Sequence, residues 1–180
     1  MVDEKRKEAM AVYTPPFNFY RGYIFDSCNK MVADDVVIIR GIPGSGKSTL
    51  ARKLVNSSCG MWDYQHLETD NYWLRPDGYY DFNFNRLSEA HEWNLNEFKR
   101  AIRDKDPTIV SNTFVKLSTI VPYVKVAIEE FLKFDHNPSI LVVDCTGDYG
   151  SVHNVPQVTV DKMRKNFEDS AGLEKLIANL

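Results

Sequence analysis

The sequence lacks the features that define several broad classes of protein. Its 180 residues include only three cysteines, Cys28, Cys59 and Cys145, which lie far apart with no CxxC or CxxH spacing. We therefore expect free thiols in a reducing compartment and no zinc site. No apolar run approaches the length that crosses a bilayer, and the polar start MVDEKRKEAM lacks the apolar core of a signal peptide. These absences predict a cytoplasmic protein without a membrane segment.

No charge of either sign dominates. The net charge is −3, from 22 Lys and Arg against 25 Asp and Glu. This balance argues against a protein coated with nucleic acid, although a local basic groove stays possible because steering depends on the distribution of charge. There is no internal repeat and no low-complexity segment, and the 43% hydrophobic and 26% charged residues are typical of a globular chain. We expect an N-terminal extension, residues 1–34, and one domain, residues 35–180.

The extension is rich in aromatic residues and is interrupted by Pro15 and Pro16, in VYTPPFNFYRGYIF. Two interpretations remain for it. It either packs across the domain as a covering arm or binds a substrate or a protein partner of unknown identity.

The stretch RGIPGSGKSTLARKL, residues 40–54, fits the phosphate-binding loop (P-loop, or Walker A) pattern G-x-x-x-x-G-K-[ST] at every fixed position. Glycine permits backbone angles that a Cβ would forbid, so successive N–H groups can surround an oxyanion. Lys47 is expected to reach the β- and γ-phosphates of ATP, and the Ser48 hydroxyl is expected to bind Mg²⁺. DVVIIR before the loop predicts a buried strand and KSTLARKLV after it a helix, the context that this motif requires. The predicted nucleotide-binding residues are Gly41, Pro43, Gly44, Ser45, Gly46, Lys47, Ser48 and Thr49.

Strand and helix patterns alternate after the loop, which predicts an α/β fold of three layers with a parallel sheet between helices. Pro122 is compatible with its helix because it falls in the first turn. His91 lies on the apolar face of the long second helix, where a structural histidine is the commoner outcome. The predicted strands are 35–40, 62–69, 107–113 and 138–146, and the later helices are 85–102, 118–133 and 155–169 with a core stripe of Val160, Met163 and Phe167.

Ligands of such sheets bind beyond the carboxyl ends of the strands, so the residues that follow each strand are the candidates for chemistry. Asp70 is a candidate for the base that accepts a proton from the acceptor hydroxyl, and a helix N-cap is its alternative role. Asn112 and Thr113 can bond the water shell of a metal ion or the acceptor, or simply form a turn. Asp144 fits a loose magnesium pattern that any buried strand ending in aspartate also satisfies.

Basic residues are needed to stabilise the charge on a transferring phosphate. Each of them has a solvated surface position as its alternative. His153, in GDYGSVHNVP, is a further candidate because its loop leads into a helix at the ligand edge. The basic candidates for the acceptor site or for a lid are Arg75, Arg86, Lys162, Arg164 and Lys165.

Five blocks, taken in order, resemble the family of P-loop, AAA-like ATP-binding proteins related to bacteriophage polynucleotide kinase. They are VVIIRGIPGSGKSTLARKL, ETDNYW, YYDFNFNRLSEAHEW, IVSNTFVKLSTIVPYV and GSVHNVPQVTVDKMRKNFE. The resemblance implies a P-loop kinase fold and transfer of the ATP γ-phosphate to a hydroxyl. It also implies that Asp70 activates that hydroxyl and that residues 148–165 supply a lid over the nucleotide.

The sequence departs from this family at the acceptor side. Polynucleotide kinase has an arginine three residues after its aspartate, where this chain has Trp73, and the lid stretch lacks an expected arginine. The aromatic residues Trp73, Tyr79, Tyr80 and Phe82 either stack a base or pack against the long helix. A nucleic-acid acceptor, a small acceptor such as a nucleoside, and an ATP-dependent switch with little transfer chemistry therefore all remain as hypotheses.

Overall fold

The computed structural model describes residues 18–21, 35–57, 64–136, 138–150 and 155–177. Strands and helices alternate along these residues. Short 3₁₀ turns cover Thr69–Trp73, Phe84–Arg86, Leu117–Thr119 and Ser170–Gly172. The regular elements are β1 (Asn18–Arg21), β2 (Val36–Arg40), α1 (Lys47–Ser57), β3 (Gln65–Leu67), α2 (Leu87–Arg103), β4 (Thr108–Asn112), α3 (Val121–Leu132), β5 (Ser139–Asp144), α4 (Gln157–Asn166) and α5 (Leu173–Ile177).

The described strands form one sheet in the order β1-β5-β2-β4-β3, and every neighbouring pair is parallel. Strand β2 is central, with Ile38 opposite Val110 of β4 and Val142 of β5. All five residues of β2 and all five of β4 are buried, as expected for inner strands of a parallel sheet that helices cover on both faces.

Alternate residues of β2 point into two different cores. Val36 and Ile38 pack in the larger core, with residues of α2, α3 and α5. Val37 and Ile39 pack in the smaller one, against Ala51 and Leu54 of α1 among others. Helices therefore cover both faces of the sheet, and the prediction of a three-layer α/β fold with a parallel sheet is confirmed.

Several predicted boundaries need correction. Of the strand predicted at 62–69, residues 62 and 63 lie outside the described residues, and the described part is strand at Gln65–Leu67. It ends there because the backbone N–H of Thr69 donates to the side chain of Asn112 and a 3₁₀ turn follows. Helix α4 ends at Asn166, so Phe167 of the predicted core stripe lies just beyond it. The first turn of the helix predicted at 85–102 is 3₁₀, and α2 runs from 87 to 103.

Two further features differ from the sequence patterns. Residues 18–21 of the predicted extension form β1, which pairs with β5 as a fifth strand at the sheet edge. His91 is exposed, whereas Asn94 is fully buried on the same helix. Within the described ranges, no helix combines the length and hydrophobicity needed to span a bilayer.

A buried arginine ties the sheet to the chain beyond α4. Arg40, at the end of β2, is 0% exposed, and its guanidinium donates to the carbonyls of Phe114 (Nε, 3.2 Å) and Glu168 (Nη2, 2.8 Å). Its Nη1 lies 3.6 Å from Oδ1 of Asp144, and its Cζ lies 4.1 Å from the ring centroid of Phe167. Asp144, which also fitted a magnesium pattern, is thus paired with Arg40.

Candidate active site

The P-loop follows β2 and takes backbone angles that favour glycine. Gly44 and Gly46 have φ values of +80° and +92°. A Cβ on Gly44 would lie 2.7 Å from the carbonyl carbon and oxygen of Gly150, so the loop packs backbone to backbone against the loop after β5. A loop with this conformation can direct its N–H groups at one anion.

Three hydroxyl side chains belong to this loop and the first turn of α1. Ser45 is 3% exposed, and its Oγ has no hydrogen-bond partner among the residues that the structure describes. Ser48 is half-buried and Thr49 is exposed. A buried hydroxyl without a partner is unusual and fits a loop whose polar groups face a ligand.

Lys47 reaches back over the loop, where its Nζ donates to the carbonyl of Ile42 at 2.9 Å. Burial lowers the pKa of Lys47 below its ordinary value, while the charges of Cys145, Asp70 and Glu68 act in the opposite direction. A partly desolvated ammonium group with carboxylates nearby can bind a phosphate strongly.

The loop after β5 lies directly on the P-loop. The backbone N–H of Tyr149 donates to the carbonyl of Gly44 at 2.9 Å, and the ring, 81% exposed, lies beside Gly46. Arg164 of α4 donates to Asp148 at 3.1 Å, which brings this predicted lid residue to the same loop. Lys162 and Lys165 of α4 are exposed, without an ion-pair partner among the described residues. His153 lies outside the described residues.

Asp70 lies in the 3₁₀ turn after β3, at the same edge of the sheet. Tyr80 donates its hydroxyl to Oδ1 of Asp70 at 3.1 Å. Burial, followed by the charge and hydrogen bond of Asp70, raises the pKa of Tyr80. Partial desolvation of the His91 ring lowers its pKa, and the Asp70 carboxylate opposes that change. Asp70 is therefore close enough to influence both Lys47 and His91.

A buried amide network holds the turn that carries Asp70. Asn112 accepts from the backbone N–H of Thr69 at 2.8 Å and donates to Oδ1 of Asn94 at 3.0 Å. The same oxygen of Asn94 accepts from the Tyr123 hydroxyl at 2.7 Å. Both ends of the Asn112 side chain are thus engaged in the fold. These contacts favour the structural role of Asn112, while a bond from this side chain to the metal's water shell or to the acceptor stays a prediction.

Thr113, the first residue after β4, is bonded to the P-loop through its backbone, since its carbonyl accepts from the N–H of Gly41 at 3.2 Å.

Asn94 was not predicted from the sequence. The available signal was a polar residue four positions from both Ala90 and Phe98, on the buried stripe of α2.

A second carboxylate, Glu68, precedes Asp70 at the end of β3 and was also missed. Ser111 of β4 donates its hydroxyl to Oε1 of Glu68 at 2.7 Å. Because that hydroxyl proton is used, the contact of 2.8 Å between Ser111 Oγ and His66 Nε2 has the imidazole N–H as its donor. These hydrogen bonds hold the Glu68 carboxylate, whose charge acts on Lys47. The Ser48 hydroxyl offers an oxygen of the kind that Mg²⁺ prefers, and the charges of Glu68 and Asp70 act on the neighbouring residue Lys47.

The predicted acceptor-side residues differ in burial and in partners. Trp73 is 3% exposed and packs edge-on against Phe82, so its interpretation as a stacking residue needs correction. Arg75 pairs with Asp81, and Arg86 donates to Glu89 at 3.0 Å. Tyr79 and Phe82 are exposed, and half-buried Tyr80 contacts Asp70 through its hydroxyl.

A P-loop between a central parallel strand and a helix, in a sheet covered on both faces, defines a P-loop kinase-like fold, which is a nucleotide-binding fold. The family described as AAA domain matches residues 36–169. The chain therefore belongs to this family.

Individual proteins match parts of the chain. Human NEDD4-binding protein 2 is 43% identical over 91 residues, which make up 49% of this chain and 5% of the human protein. The solved structure of the Pnkp1/Rnl/Hen1 complex is similar over 74% of this chain and 40% of that chain, with a TM-score of 0.46 and 16% identity. A gluconokinase from Sinorhizobium meliloti 1021 is similar over 80% of this chain and 94% of that one, with a TM-score of 0.37 and 16% identity.

Proposed function

We propose that this protein is a kinase that transfers the γ-phosphate of ATP, with Mg²⁺, to a hydroxyl of a nucleic acid. The observation that carries the proposal is the position of Asp70, at the same sheet edge as Lys47 and within its electrostatic influence. A phosphate-binding lysine and a nearby carboxylate are what in-line phosphoryl transfer to a hydroxyl requires. The order of blocks resembling polynucleotide kinase supports the nucleic-acid acceptor.

The backbone of residues 41–46 and the first turn of α1 would hold the phosphates, with Lys47 on the β- and γ-groups. Ser48 would hold Mg²⁺ through its hydroxyl. When bound, Mg²⁺ neutralises charge on the phosphate oxygens. Arg164, which Asp148 holds near the P-loop, is the lid residue best placed to approach the transferring group.

The transfer step makes one bond and breaks one. Asp70 accepts the proton of the acceptor hydroxyl as its oxygen attacks the γ-phosphorus. The bond between the γ-phosphorus and its bridging oxygen to the β-phosphate breaks, and ADP leaves with that electron pair. Tyr80, which donates to Asp70, orients the carboxylate for this role.

Transfer from γ-labelled ATP with Mg²⁺ tests the proposal. A 5′-hydroxyl DNA oligonucleotide, a 5′-hydroxyl RNA oligonucleotide and a mixture of nucleosides are offered side by side. We expect label on an oligonucleotide, and Lys47→Ala should abolish it. Tight ATP binding without any labelled product would contradict the proposal and favour a nucleotide-dependent switch.

A small acceptor such as a nucleoside is the second candidate. Arg75 and Arg86, the basic residues near Asp70 that could hold a polymer's phosphates, are engaged with Asp81 and Glu89. Label on nucleosides alone would favour this alternative. Salt separates the two, because binding of a polymer releases counterions and weakens steeply as salt rises.

A methyl group added at Gly44 of the P-loop is expected to weaken ATP binding. In Gly44→Ala the new Cβ would meet the backbone of Gly150 at 2.7 Å, so the P-loop must shift. We expect ATP affinity to fall at least about 10-fold, the equivalent of about 1.4 kcal/mol, by isothermal titration calorimetry. Gly78→Ala is the matched control, since Gly78 has φ +82° with nothing within 4 Å of an added Cβ. Equal ATP affinities in the two variants would contradict the prediction.

The amide network predicts an effect of Asn112→Ala on stability and rate together. Removal of the amide leaves the buried N–H of Thr69 without a partner and takes away one of the two donors to Oδ1 of Asn94, which costs about 1–3 kcal/mol of unfolding free energy. Because the turn carrying Asp70 then loosens, kcat should fall while the KM for ATP is kept. Urea unfolding and transfer assays check this, with Asn96→Ala, exposed on α2, as the control. An unchanged kcat would show that Asn112 does not position Asp70.

A further inference from the structure

A short hairpin follows the turn that carries Asp70. Leu74 and Tyr80 form an antiparallel bridge, and the backbone N–H of Arg75 donates to the carbonyl of Tyr79 at 2.9 Å. Gly78 supplies the left-handed backbone of the hairpin turn. The hairpin returns the chain to Asp70 and so brings residues 80–82 alongside the candidate base.

Two aromatic rings on this return strand are parallel. The ring centroids of Tyr80 and Phe82 are 6.5 Å apart, and their planes differ by only 6°. Residues two apart in an extended strand share one side, which explains why the rings do so. Buried Trp73 packs edge-on against Phe82, with a centroid distance of 5.3 Å, and supports it from beneath. Phe82 itself is 51% exposed.

One end of this ring pair is joined to the candidate base. The Tyr80 hydroxyl donates to Oδ1 of Asp70 at 3.1 Å. A flat group stacked on the Tyr80 ring would therefore lie next to a ring that itself contacts the carboxylate. The same segment exposes further large apolar side chains, because Leu74, Tyr79 and Phe84 are also more than half exposed. An exposed apolar patch of this kind usually marks an interaction site.

We propose that Tyr80 and Phe82 bind the terminal nucleobase of the acceptor by stacking, which directs the attached sugar hydroxyl to Asp70. The position of that hydroxyl rests on the proposed function, whereas the stacking site does not. Parallel faces suit one flat aromatic ligand, and stacking accepts any base because every base has a π-face. The acceptor class is therefore a nucleoside or a single-stranded end, in which the base is free to leave its neighbours.

Two 5′-hydroxyl DNA oligonucleotides that differ only at the first residue test the stacking site. One carries a base there and the other an abasic sugar, and fluorescence anisotropy measures Kd without ATP. For the wild type we expect the abasic oligonucleotide to bind about 5- to 150-fold more weakly, the range of base–aromatic stacking. Tyr80→Leu and Phe82→Leu should lose this difference. Tyr80→Phe, which keeps the ring, and Phe84→Leu, which lies outside the ring pair, should keep it.

Equal Kd values for the two oligonucleotides in the wild type would overturn the stacking site, as would the absence of binding to both. A base preference that survives in Phe82→Leu and Tyr80→Leu would also overturn it. Base-dependent binding without phosphate transfer would support the stacking site and contradict the proposed function. Transfer that ignores the terminal base would support the proposed function and overturn the stacking site.

Discussion

Asp70→Asn is expected to lower kcat for phosphate transfer by about 10²- to 10⁴-fold, the usual contribution of a general base. Asparagine has nearly the same size and still accepts the hydrogen bond from the Tyr80 hydroxyl, so the site keeps its shape. It cannot accept a proton from the acceptor hydroxyl at neutral pH. Loss of the carboxylate also removes a negative charge near Lys47, so ATP affinity should be unchanged or higher.

The matched control for this variant is Asp77→Asn. Asp77 is exposed in the hairpin turn, where its Oδ1 accepts from the backbone N–H of Tyr79 at 3.0 Å, a bond that asparagine retains. Initial rates at saturating ATP and acceptor, together with ATP affinities by calorimetry, separate chemistry from binding. If Asp70→Asn kept more than a tenth of the control rate, Asp70 would not be the base, and His91 would be the next residue to replace.

The largest effect on stability is expected for Arg40→Leu, at about 3–5 kcal/mol of unfolding free energy. Leucine fills part of the space but leaves Asp144 without its cation and the carbonyls of Phe114 and Glu168 without a donor. The contact of the guanidinium with the Phe167 ring is lost as well. For a domain of this size, such a change lowers Tm by roughly 6–20 °C.

Urea unfolding followed by far-UV circular dichroism measures this change. Arg100→Leu is the control, because Arg100 is 70% exposed and pairs only with Glu97 of the same helix among the described residues, which contributes about 0–1 kcal/mol. If the two variants differed by less than about 1 kcal/mol, the network around Arg40 would not be a major source of stability. A loss of nucleotide-dependent stabilisation in Arg40→Leu would further indicate that the segment after α4 supports the lid.

The sequence alone was enough to predict the P-loop and its flanking elements. The glycine spacing, the β-branched run of β2 and the helix of α1 are local patterns, read from neighbouring residues. Local patterns also predicted strands β4 and β5 and helix α3, which has Pro122 in its first turn. Parallel topology then placed Asp70 and the P-loop at one edge of the sheet.

The partners of these residues were not readable from the sequence. Asn112 meets Thr69 across 43 positions, and Arg40 meets Glu168 across 128. Whether a side chain is buried, paired or exposed depends on which residue lies opposite it after folding, and no local pattern in the sequence specifies that residue. This is why the sequence left Asn112 open between a ligand residue and a turn residue, and Trp73 open between stacking and packing, whereas the structure buries both.

Local patterns therefore determined the class of fold and the phosphate-binding loop, because hydrogen bonding and side-chain periodicity act between neighbours in the chain. The arrangement around Asp70 depended on contacts between distant elements. The parallel rings of Tyr80 and Phe82, the amide network behind Thr69 and the burial of Arg40 all arise where the packed sheet and helices bring such elements together. Packing, which is decided only when the whole domain closes, sets which of the polar and aromatic side chains face the ligand edge.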